Sequence, residues 1–178
     1  MEHKYELNNK LIAAARKGDL EGIKTALAAG ADINFHDDLY SCTALMHAAQ
    51  LGNVNVIEFL IEEGSDIYAR DNDGKTALMI AAKMCFKDIV EYLIKAGANI
   101  NHQDKYNNNA LICAAKSGYR VHVSFIEYGT KVDYEGTVKS LLTKGANVNA
   151  QDRDGKAALH HAIEREYNGI FNYTWCKL

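Results

Sequence analysis

The sequence predicts an all-α solenoid of stacked helix-turn-helix units, and two regularities support that prediction. First, the stretch TALMHAA that begins at Thr43 returns as TALMIAA at Thr76 and as NALICAA at Asn109, so the copies are 33 residues apart. Second, each copy is followed by an apolar stripe at helical spacing and then by a glycine. A fixed period of this length is typical of a chain built from copies of one small unit, each of which buries its apolar face against the next.

The turn and the first helix of a unit are clearest just after residue 70. Asp71 and Gly74 predict a turn, because aspartate bonds to its own backbone and glycine adopts the positive φ that a β-carbon resists. Thr76 stands where a helix N-cap belongs, and we expect its hydroxyl to accept a hydrogen bond from the first helical turn. The helix then runs from Ala77 to about Met84, and its alanines let a neighbouring helix approach closely.

The second helix of this unit is predicted over Ile89–Lys95 by its apolar stripe. Gly97 ends it, since glycine readily takes the left-handed conformation that follows a helix. Neither helix is long enough to persist alone in water, so stacking between units must supply most of the stability.

Taken together, these features resemble the ankyrin repeat, which has a turn, two antiparallel helices, a loop and the signature D-x-x-G-x-T-P-L-H-x-A-A. The resemblance covers nearly the whole chain, with five copies in register. It implies a single domain over residues 1–178, in which turn or β-hairpin fingers join the helical units. The units are expected at residues 7–36, 37–69, 70–102, 103–150 and 151–178, the last of them partial.

Departures from that signature bear on stability. The chain contains no proline, although proline at the first helical position would pre-set φ. Ala157 lacks the capping oxygen of threonine, which costs about 1 kcal/mol. The histidine that ties the inner helix to the turn in the family survives only as His160, while Met46, Met79 and Ile112 replace it elsewhere. We therefore expect a stable solenoid that is not an idealised one.

Two segments fall out of the repeat register. Leu111 and Leu159 are 48 residues apart rather than 33, which places an insertion of about fifteen residues near 119–133. The insertion is interpreted either as a partner-binding loop, because long loops are often functional, or as a surface excursion of low entropic cost. The tail at 167–178 is too short and too aromatic for the expected outer helix, so it either folds back as a cap or leaves apolar surface exposed. A third explanation is that both segments come from unspliced or wrongly predicted coding sequence.

The composition is that of an ordinary globular protein and gives no electrostatic reason to bind nucleic acid or a membrane. The chain has 178 residues, of which 48% are hydrophobic, and a net charge of -3. Its first residues lack the long apolar run of a signal peptide, and no window approaches eighteen uninterrupted apolar residues. Its four cysteines lie far apart and are interpreted as free thiols, which predicts a cytoplasmic or nuclear location. A protein exported without a signal peptide has the same features.

The sequence offers little for catalysis. His160 and His161 are adjacent, and adjacent residues on a helix point in different directions, so the pair is a poor metal chelate. Cys113 lies among apolar neighbours with no activating base nearby, and it is interpreted as a packing thiol. No phosphate-binding glycine motif occurs, and the aspartates that recur at the turns are assigned to turn formation. We therefore expect no enzyme activity, no cofactor and no metal.

In the ankyrin family the recognition surface is usually the concave face, formed by the turn tips and the exposed side of the inner helices. Carried over by position, the resemblance implies these partner-binding residues: Leu39, Tyr40, Cys42, Gln50, Leu51, Asn72, Asp73, Lys75, Lys83, Met84, Lys105, Tyr106, Asn108, Lys116, Ser117, Arg153, Asp154, Lys156, Glu164 and Arg165. Tyr40 and Tyr106 are the expected anchors, because aromatic side chains bring a large contact area at low entropic cost. An extra residue in the second turn is expected to push Leu39 and Tyr40 outward.

From the third unit onward this face leans basic, which suits an acidic segment of a partner protein. Its cations are Lys75, Lys83, Lys105, Lys116, Arg153, Lys156 and Arg165. The resemblance implies a monomeric, non-catalytic interaction module that acts as an adaptor, scaffold or inhibitor. Two alternatives remain: an effector that uses the same surface inside another cell, and an ankyrin fragment of a larger multidomain protein.

Overall fold

The computed structural model describes residues 2–117 and 131–164, and this part of the chain is helical, with turns and loops but no strand. The helices alternate between an inner and an outer layer, as expected of an all-α solenoid. The inner helices are α1 (Glu2–Lys17), α3 (Ala44–Leu51), α5 (Ala77–Lys83), α7 (Ala110–Ser117) and α9 (Ala158–Glu164). The outer helices are α2 (Leu20–Ala28), α4 (Val54–Glu62), α6 (Lys87–Lys95) and α8 (Tyr134–Thr143).

The repeated stretch forms the centre of the stack. Each inner helix packs against the next one, and the inner helices from α1 to α7 also pack against the outer helix of their own unit. Leu45, Leu78 and Leu111, the leucines of the repeated stretch, are at most 1% exposed. Burying a leucine side chain contributes about 1.5–3 kcal/mol. The predicted period therefore corresponds to one continuous apolar core.

The first inner helix is longer than the repeat pattern suggested. α1 has 16 residues and begins at Glu2, ahead of the unit expected at 7–36. Its first turns are rich in Glu, Lys and Leu, which are good helix formers, so nothing in them stops the helix at the start of the repeat. No helix in the described part of the chain is both long and apolar enough to cross a membrane.

The caps of the inner helices differ from one unit to the next. Thr43 Oγ1 accepts a hydrogen bond from Met46 N at 3.4 Å, and Asn109 Oδ1 accepts one from Ile112 N at 2.9 Å. The prediction for the Thr76 hydroxyl is wrong: Thr76 has the extended backbone of an N-cap, but within the described residues its side chain accepts no capping hydrogen bond. The Thr43 bond is itself long at 3.4 Å, so a small difference in geometry is enough to remove it at Thr76.

His160 binds the backbone of Ala157, the residue that lacks a capping oxygen. The Ala157 N–H donates to His160 Nδ1 at 3.1 Å. This contact ties the start of α9 to the preceding turn, which is the role expected of His160 from the family signature.

The insertion predicted near 119–133 stops short of Asp133, which belongs to the repeat itself. Asp133 Oδ1 accepts a hydrogen bond from Gly136 N at 2.8 Å and so caps α8. Asp19 and Asn53 cap α2 and α4 in the same way. Residues 118–130, which hold most of the predicted insertion, and residues 165–178, which hold the tail, lie outside the described residues.

The units are joined by short fingers that stack on one another, and the stack continues past the insertion. Each finger takes the number of the unit that it opens: the second is at 37–42, the third at 71–75, the fourth at 104–108 and the fifth at 152–156. From the third finger onward, each tip donates one backbone hydrogen bond to the tip before it: Asn72 N to Tyr40 O at 2.9 Å, Lys105 N to Asp73 O at 2.8 Å and Arg153 N to Tyr106 O at 3.0 Å. The last of these bonds joins the fourth finger to the fifth. The extra residues therefore leave the spacing of the fingers unchanged.

Candidate functional site

An aspartate shapes each finger from its base. Asp71 Oδ1 accepts hydrogen bonds from Asp73 N at 2.9 Å and from Lys75 N at 2.8 Å. Asp104 and Asp152 do the same in the fourth and fifth fingers. The assignment of these aspartates to turn formation is confirmed. Because two backbone N–H groups are fixed by one carboxylate, the finger tips present their side chains from a well-defined backbone.

The second finger carries an exposed apolar tip. Leu39 is 63% exposed and Tyr40 is 59% exposed. Asp37 Oδ1 accepts a hydrogen bond from Tyr40 N at 2.8 Å, and Asn72 N donates to Tyr40 O at 2.9 Å. Ser41 takes a left-handed φ of 58° in this longer turn. The tip is thus held through its backbone while its two apolar side chains lie in solvent, as predicted for Leu39 and Tyr40.

Tyr106, the second expected anchor, is partly engaged within the protein. It is 44% exposed. Arg153 Cζ lies 4.9 Å from the centre of its ring, and its hydroxyl donates to Asp73 Oδ1 at 3.4 Å. A cation over an aromatic ring contributes about 0.5–1 kcal/mol at an exposed site. Tyr106 therefore contacts the third and fifth fingers and offers less accessible surface than Tyr40.

Several cations that were predicted to make this face basic are neutralised within the protein. The ion pairs are Lys75–Asp73 at 2.6 Å, Lys116–Asp152 at 2.7 Å and Lys156–Glu164 at 2.5 Å. Lys83 and Lys105 are exposed and make no ion pair within the described part of the chain. Arg165 lies outside the described residues. The basic character of this face therefore rests on Lys83, Lys105 and Arg153 rather than on all the predicted cations.

The remaining predicted contact residues divide by exposure. The exposed ones are Gln50, Asn72, Asp154 and Glu164, and the partly buried ones are Cys42, Leu51, Met84 and Ser117. Asn108 is an exception, because it is only 7% exposed. Its Nδ2 donates to both oxygens of Asp104, at 3.1 and 2.9 Å, and its Oδ1 accepts from Lys116 Nζ at 2.6 Å. The prediction that Asn108 faces a partner is wrong, since its polar atoms are used inside the protein.

Sequence reasoning missed a buried aspartate–histidine pair beneath the second finger. His47 Nε2 lies 2.8 Å from Asp37 Oδ2, and Arg16 of α1 approaches the same oxygen to 2.8 Å. Both Asp37 and His47 are buried. Hydrogen bonds from Tyr40 N and His47 outweigh the effect of burial and lower the pKa of Asp37 to about 2. The ion pair of Arg16 with this charged carboxylate therefore links the first unit to the second.

The fifth unit repeats this pair. His161 Nε2 lies 2.8 Å from Asp152 Oδ2, and Lys116 of the preceding unit supplies the cation. The sequence did contain a signal, because His47 and His161 occupy the same position of the repeat. Ile80 and Cys113 fill that position in the third and fourth units, so the histidines were not recognised as a recurrent feature.

The buried thiols have the properties of packing groups. Burial raises the pKa of Cys85 and of Cys113 to about 12, so both are protonated at neutral pH. Burial and the nearby carboxylates of Asp37 and Asp71 raise the pKa of the partly buried Cys42 to about 11. A nucleophilic cysteine needs the opposite shift. These three are free thiols, and Cys176 lies outside the described residues.

Comparison with known proteins finds similar repeats in several larger proteins. The 2-5A-dependent ribonuclease of Mus musculus is 35% identical over 71 residues, which are 40% of this chain and 10% of that protein. Ankyrin repeat and SOCS box protein 13 of Homo sapiens is 67% identical over 33 residues, 18% of this chain and 12% of that protein. Ankyrin repeat and SAM domain-containing protein 6 of Rattus norvegicus is 33% identical over 66 residues, 37% of this chain and 8% of that protein.

The chain spans only about a tenth of the length of these relatives, so the likeness is one of repeats and not of whole proteins. Models of protein families give a broader match. A model of ankyrin repeats in three copies matches residues 11–104, more than half of the chain, and a model of many copies matches residues 87–128. Ankyrin repeats are protein-interaction modules, and this chain belongs to the ankyrin-repeat family.

Proposed function

We propose that this chain is a monomeric, non-catalytic module that binds a segment of another protein through its concave face, with Leu39 and Tyr40 as the apolar anchor. One observation carries the proposal: both side chains are more than half exposed on a tip whose backbone is fixed from its own finger and from the next. An ordered tip loses little entropy on binding, and buried aromatic anchors dominate the binding free energy of many interfaces.

The surface beside the tip supports the same proposal. A cleft lies between α1 and the second finger, and Asn9, Ala13, Asp38 and Leu39 are among the residues that line it. Leu39 belongs both to the tip and to this cleft. A partner segment that covers Tyr40 therefore continues into a groove instead of crossing a flat surface.

An acidic residue in the partner segment is proposed to meet Lys83 and Lys105. Both side chains are exposed, and neither makes an ion pair among the residues described. Charges of this kind act mainly by steering association and selecting among partners. A module that covers one face of a partner suits an adaptor, a scaffold or an inhibitor.

Affinity capture from extracts of the source cells tests the proposal with a matched control. Tyr68 is 58% exposed, almost the same as Tyr40, but it lies in the loop after α4, where its hydroxyl donates to Gly97 O at 3.2 Å. We expect the double variant Leu39→Ala/Tyr40→Ala to capture at least tenfold less of a protein that the unmodified chain and Tyr68→Ala both retain. Circular dichroism of all three proteins shows whether the fold is intact. Equal capture by all three folded proteins would place the binding surface elsewhere.

A further inference from the structure

Three potential metal ligands of different chemical kinds converge at the base of the second finger. Asp37 and Cys42 come from the finger, and His47 comes from α3. One ligand atom from each lies within 4.8 Å of the other two, and this is the one group of its kind in the described part of the chain. Thiolate, imidazole and carboxylate together are ligands that zinc accepts, whereas magnesium and calcium prefer oxygen alone.

The contacts around His47 conflict with one another. His47 Nε2 lies 2.8 Å from Asp37 Oδ2 and 3.3 Å from Arg16 Nε. A protonated Nε2 donates to Asp37 but then faces the N–H of Arg16. An unprotonated Nε2 accepts from Arg16 but then faces a lone pair of Asp37. One of the two contacts is therefore unfavourable in every protonation state of the imidazole, as long as the carboxyl group of Asp37 is ionised.

A metal ion in place of the arginine removes this conflict, because Nε2 and Oδ2 then both direct lone pairs at the same cation. We propose that Asp37, Cys42 and His47 bind one zinc ion, with water as the fourth ligand. Nitrogen and oxygen ligands of tetrahedral zinc lie about 3.3 Å apart, so Nε2 and Oδ2 need to separate by only about half an ångström. The guanidinium of Arg16 has to leave, and its side chain is 45% exposed, so solvent is open to it.

The site is largely oriented before the ion arrives. Asp37 Oδ1 accepts hydrogen bonds from Tyr40 N at 2.8 Å and from Cys42 N at 3.3 Å, which leaves Oδ2 for the metal. Such outer contacts fix the orientation of a metal ligand and raise the affinity for the ion. Zinc binds cysteine as the thiolate, and the Cys42 thiol carries a proton in the metal-free protein. Zinc binding must therefore release its proton, and the affinity rises with pH.

The fifth unit provides an internal control. Asp152 and His161 repeat the 2.8 Å contact, and Lys116 lies 2.7 Å from the same carboxylate oxygen. Lys156 stands at the repeat position that Cys42 occupies in the second unit. The fifth-unit site has two ligands and an additional cation in place of the thiol, so zinc is expected at the second unit and not at the fifth.

Zinc at this place acts on the tip that carries the proposed anchor. Four residues separate Asp37 from Cys42, and they include Leu39 and Tyr40. An ion that joins the two ends of this segment closes it into a ring and restricts its motion. The metal site itself does not depend on the proposed function, because it can be tested in the absence of any partner.

The test uses the full chain, stripped of metal by a chelator and titrated with Zn²⁺ alone by calorimetry. Co²⁺ serves as a spectroscopic substitute for zinc. We expect one ion per chain and a thiolate-to-cobalt charge-transfer band that is absent from Cys42→Ser. The zinc affinity should fall at least tenfold in Cys42→Ser and in His47→Gln and stay unchanged in His161→Gln. It should rise in Arg16→Gln, because the competing guanidinium is gone.

Three results would overturn the proposal: no stoichiometric zinc binding by the unmodified chain, binding that survives both Cys42→Ser and His47→Gln, or unchanged affinity in Arg16→Gln. Circular dichroism at the temperature of the titration separates loss of the ligand from loss of the fold. If His47→Gln unfolds, the zinc affinities of Arg16→Gln and Cys42→Ser still show whether the ion binds at this site. Unchanged affinity in Arg16→Gln contradicts competition between the arginine and the ion for one place.

Discussion

Lys116 of α7 and Asp152 of the fifth finger form an ion pair at 2.7 Å across the boundary between two units. The side chain of Asp152 is 2% exposed. Burial alone would raise the pKa of this carboxyl, but the hydrogen bonds from Lys116, from Lys156 N and from His161 hold it well below its usual range. The carboxylate is therefore charged inside the stack, and Lys116 supplies its counter-charge from the preceding unit.

Replacement of Lys116 by methionine should lower the free energy of unfolding by about 1–3 kcal/mol, because a buried carboxylate loses its charged partner. Lys83 occupies the same place in α5 but is exposed and makes no ion pair among the described residues. Lys83→Met should therefore change stability by no more than about 0.5 kcal/mol. Urea unfolding followed by circular dichroism measures both variants. Equal changes in the free energy of unfolding of the two variants would show that the ion pair does not stabilise the contact between the units.

The stability of the fold should depend on Asp37 at acid pH. Although burial opposes it, hydrogen bonding lowers the pKa of Asp37 from 3.8 to about 2. The folded state binds this proton less readily than the unfolded state, so the stabilisation is complete above about pH 4 and is lost as the pH falls toward 2. Asp37→Asn should be less stable at pH 7 and should lose less stability between pH 4 and pH 2. Midpoints of urea unfolding, measured across this pH range, test the prediction. Parallel curves of midpoint against pH for the two proteins would contradict it.

His47 should titrate below the usual range of histidine in the metal-free protein. Burial is the main cause of its lowered pKa, and the charge of Arg16 adds to it, although the contact with Asp37 acts in the opposite direction. Because the folded state binds this proton less readily, stability should decline as the pH falls below about 6.5. An NMR titration of the imidazole checks the sign directly. A pKa above 6.5 would mean that Asp37 outweighs burial and Arg16.

At position 85, the usual order of stability, in which an alanine variant is more stable than a glycine variant, should be reversed. Cys85 takes a left-handed φ of 58°, and the corresponding residues of the first two units are Gly18 and Gly52, at 66° and 82°. A left-handed residue with a β-carbon costs about 1–2 kcal/mol, which exceeds the extra unfolded-state entropy of glycine of about 0.4–1 kcal/mol. Cys85→Gly should therefore be at least as stable as Cys85→Ala, with a gain of up to about 1.5 kcal/mol.

Ala82, which lies within α5, provides the control for this comparison. There, glycine should be less stable than alanine, as in any helix interior. Thermal unfolding of the variants at both positions measures the two differences. If the glycine variant is less stable than the alanine variant at position 85 as well, the backbone at Cys85 is not strained.

The fold was predictable because local and long-range signals agree. The leucines at 45, 78 and 111 recur with the period, and the structure buries each of them at the same place in the stack. Thr76 shows the limit of this reasoning. Its position in the repeat identified the start of the helix, but a hydrogen bond depends on a few tenths of an ångström, and the period does not encode that distance.

The contacts of the candidate site were less predictable because they join different units. Whether Lys116 is available to a partner depends on Asp152, which lies in the next unit and beyond the insertion. Asn108 has the same repeat position as Lys75, which is partly buried and pairs with Asp73, but Asn108 is buried and bonds to Asp104 and Lys116. The repeat register predicts the face of the solenoid on which a residue lies. Whether its side chain is accessible on that face depends on its hydrogen-bond and ion-pair partners within the protein.

Photocrosslinking from the second finger tests most directly whether the tip formed by Leu39 and Tyr40 binds the partner. A photoreactive phenylalanine derivative in place of Tyr40 is activated by light in the source cells, and the same derivative in place of Tyr68 is the control. We predict a discrete crosslinked protein from position 40 that is absent from position 68. A partner that crosslinks from position 68 and not from position 40 would contradict the proposed surface.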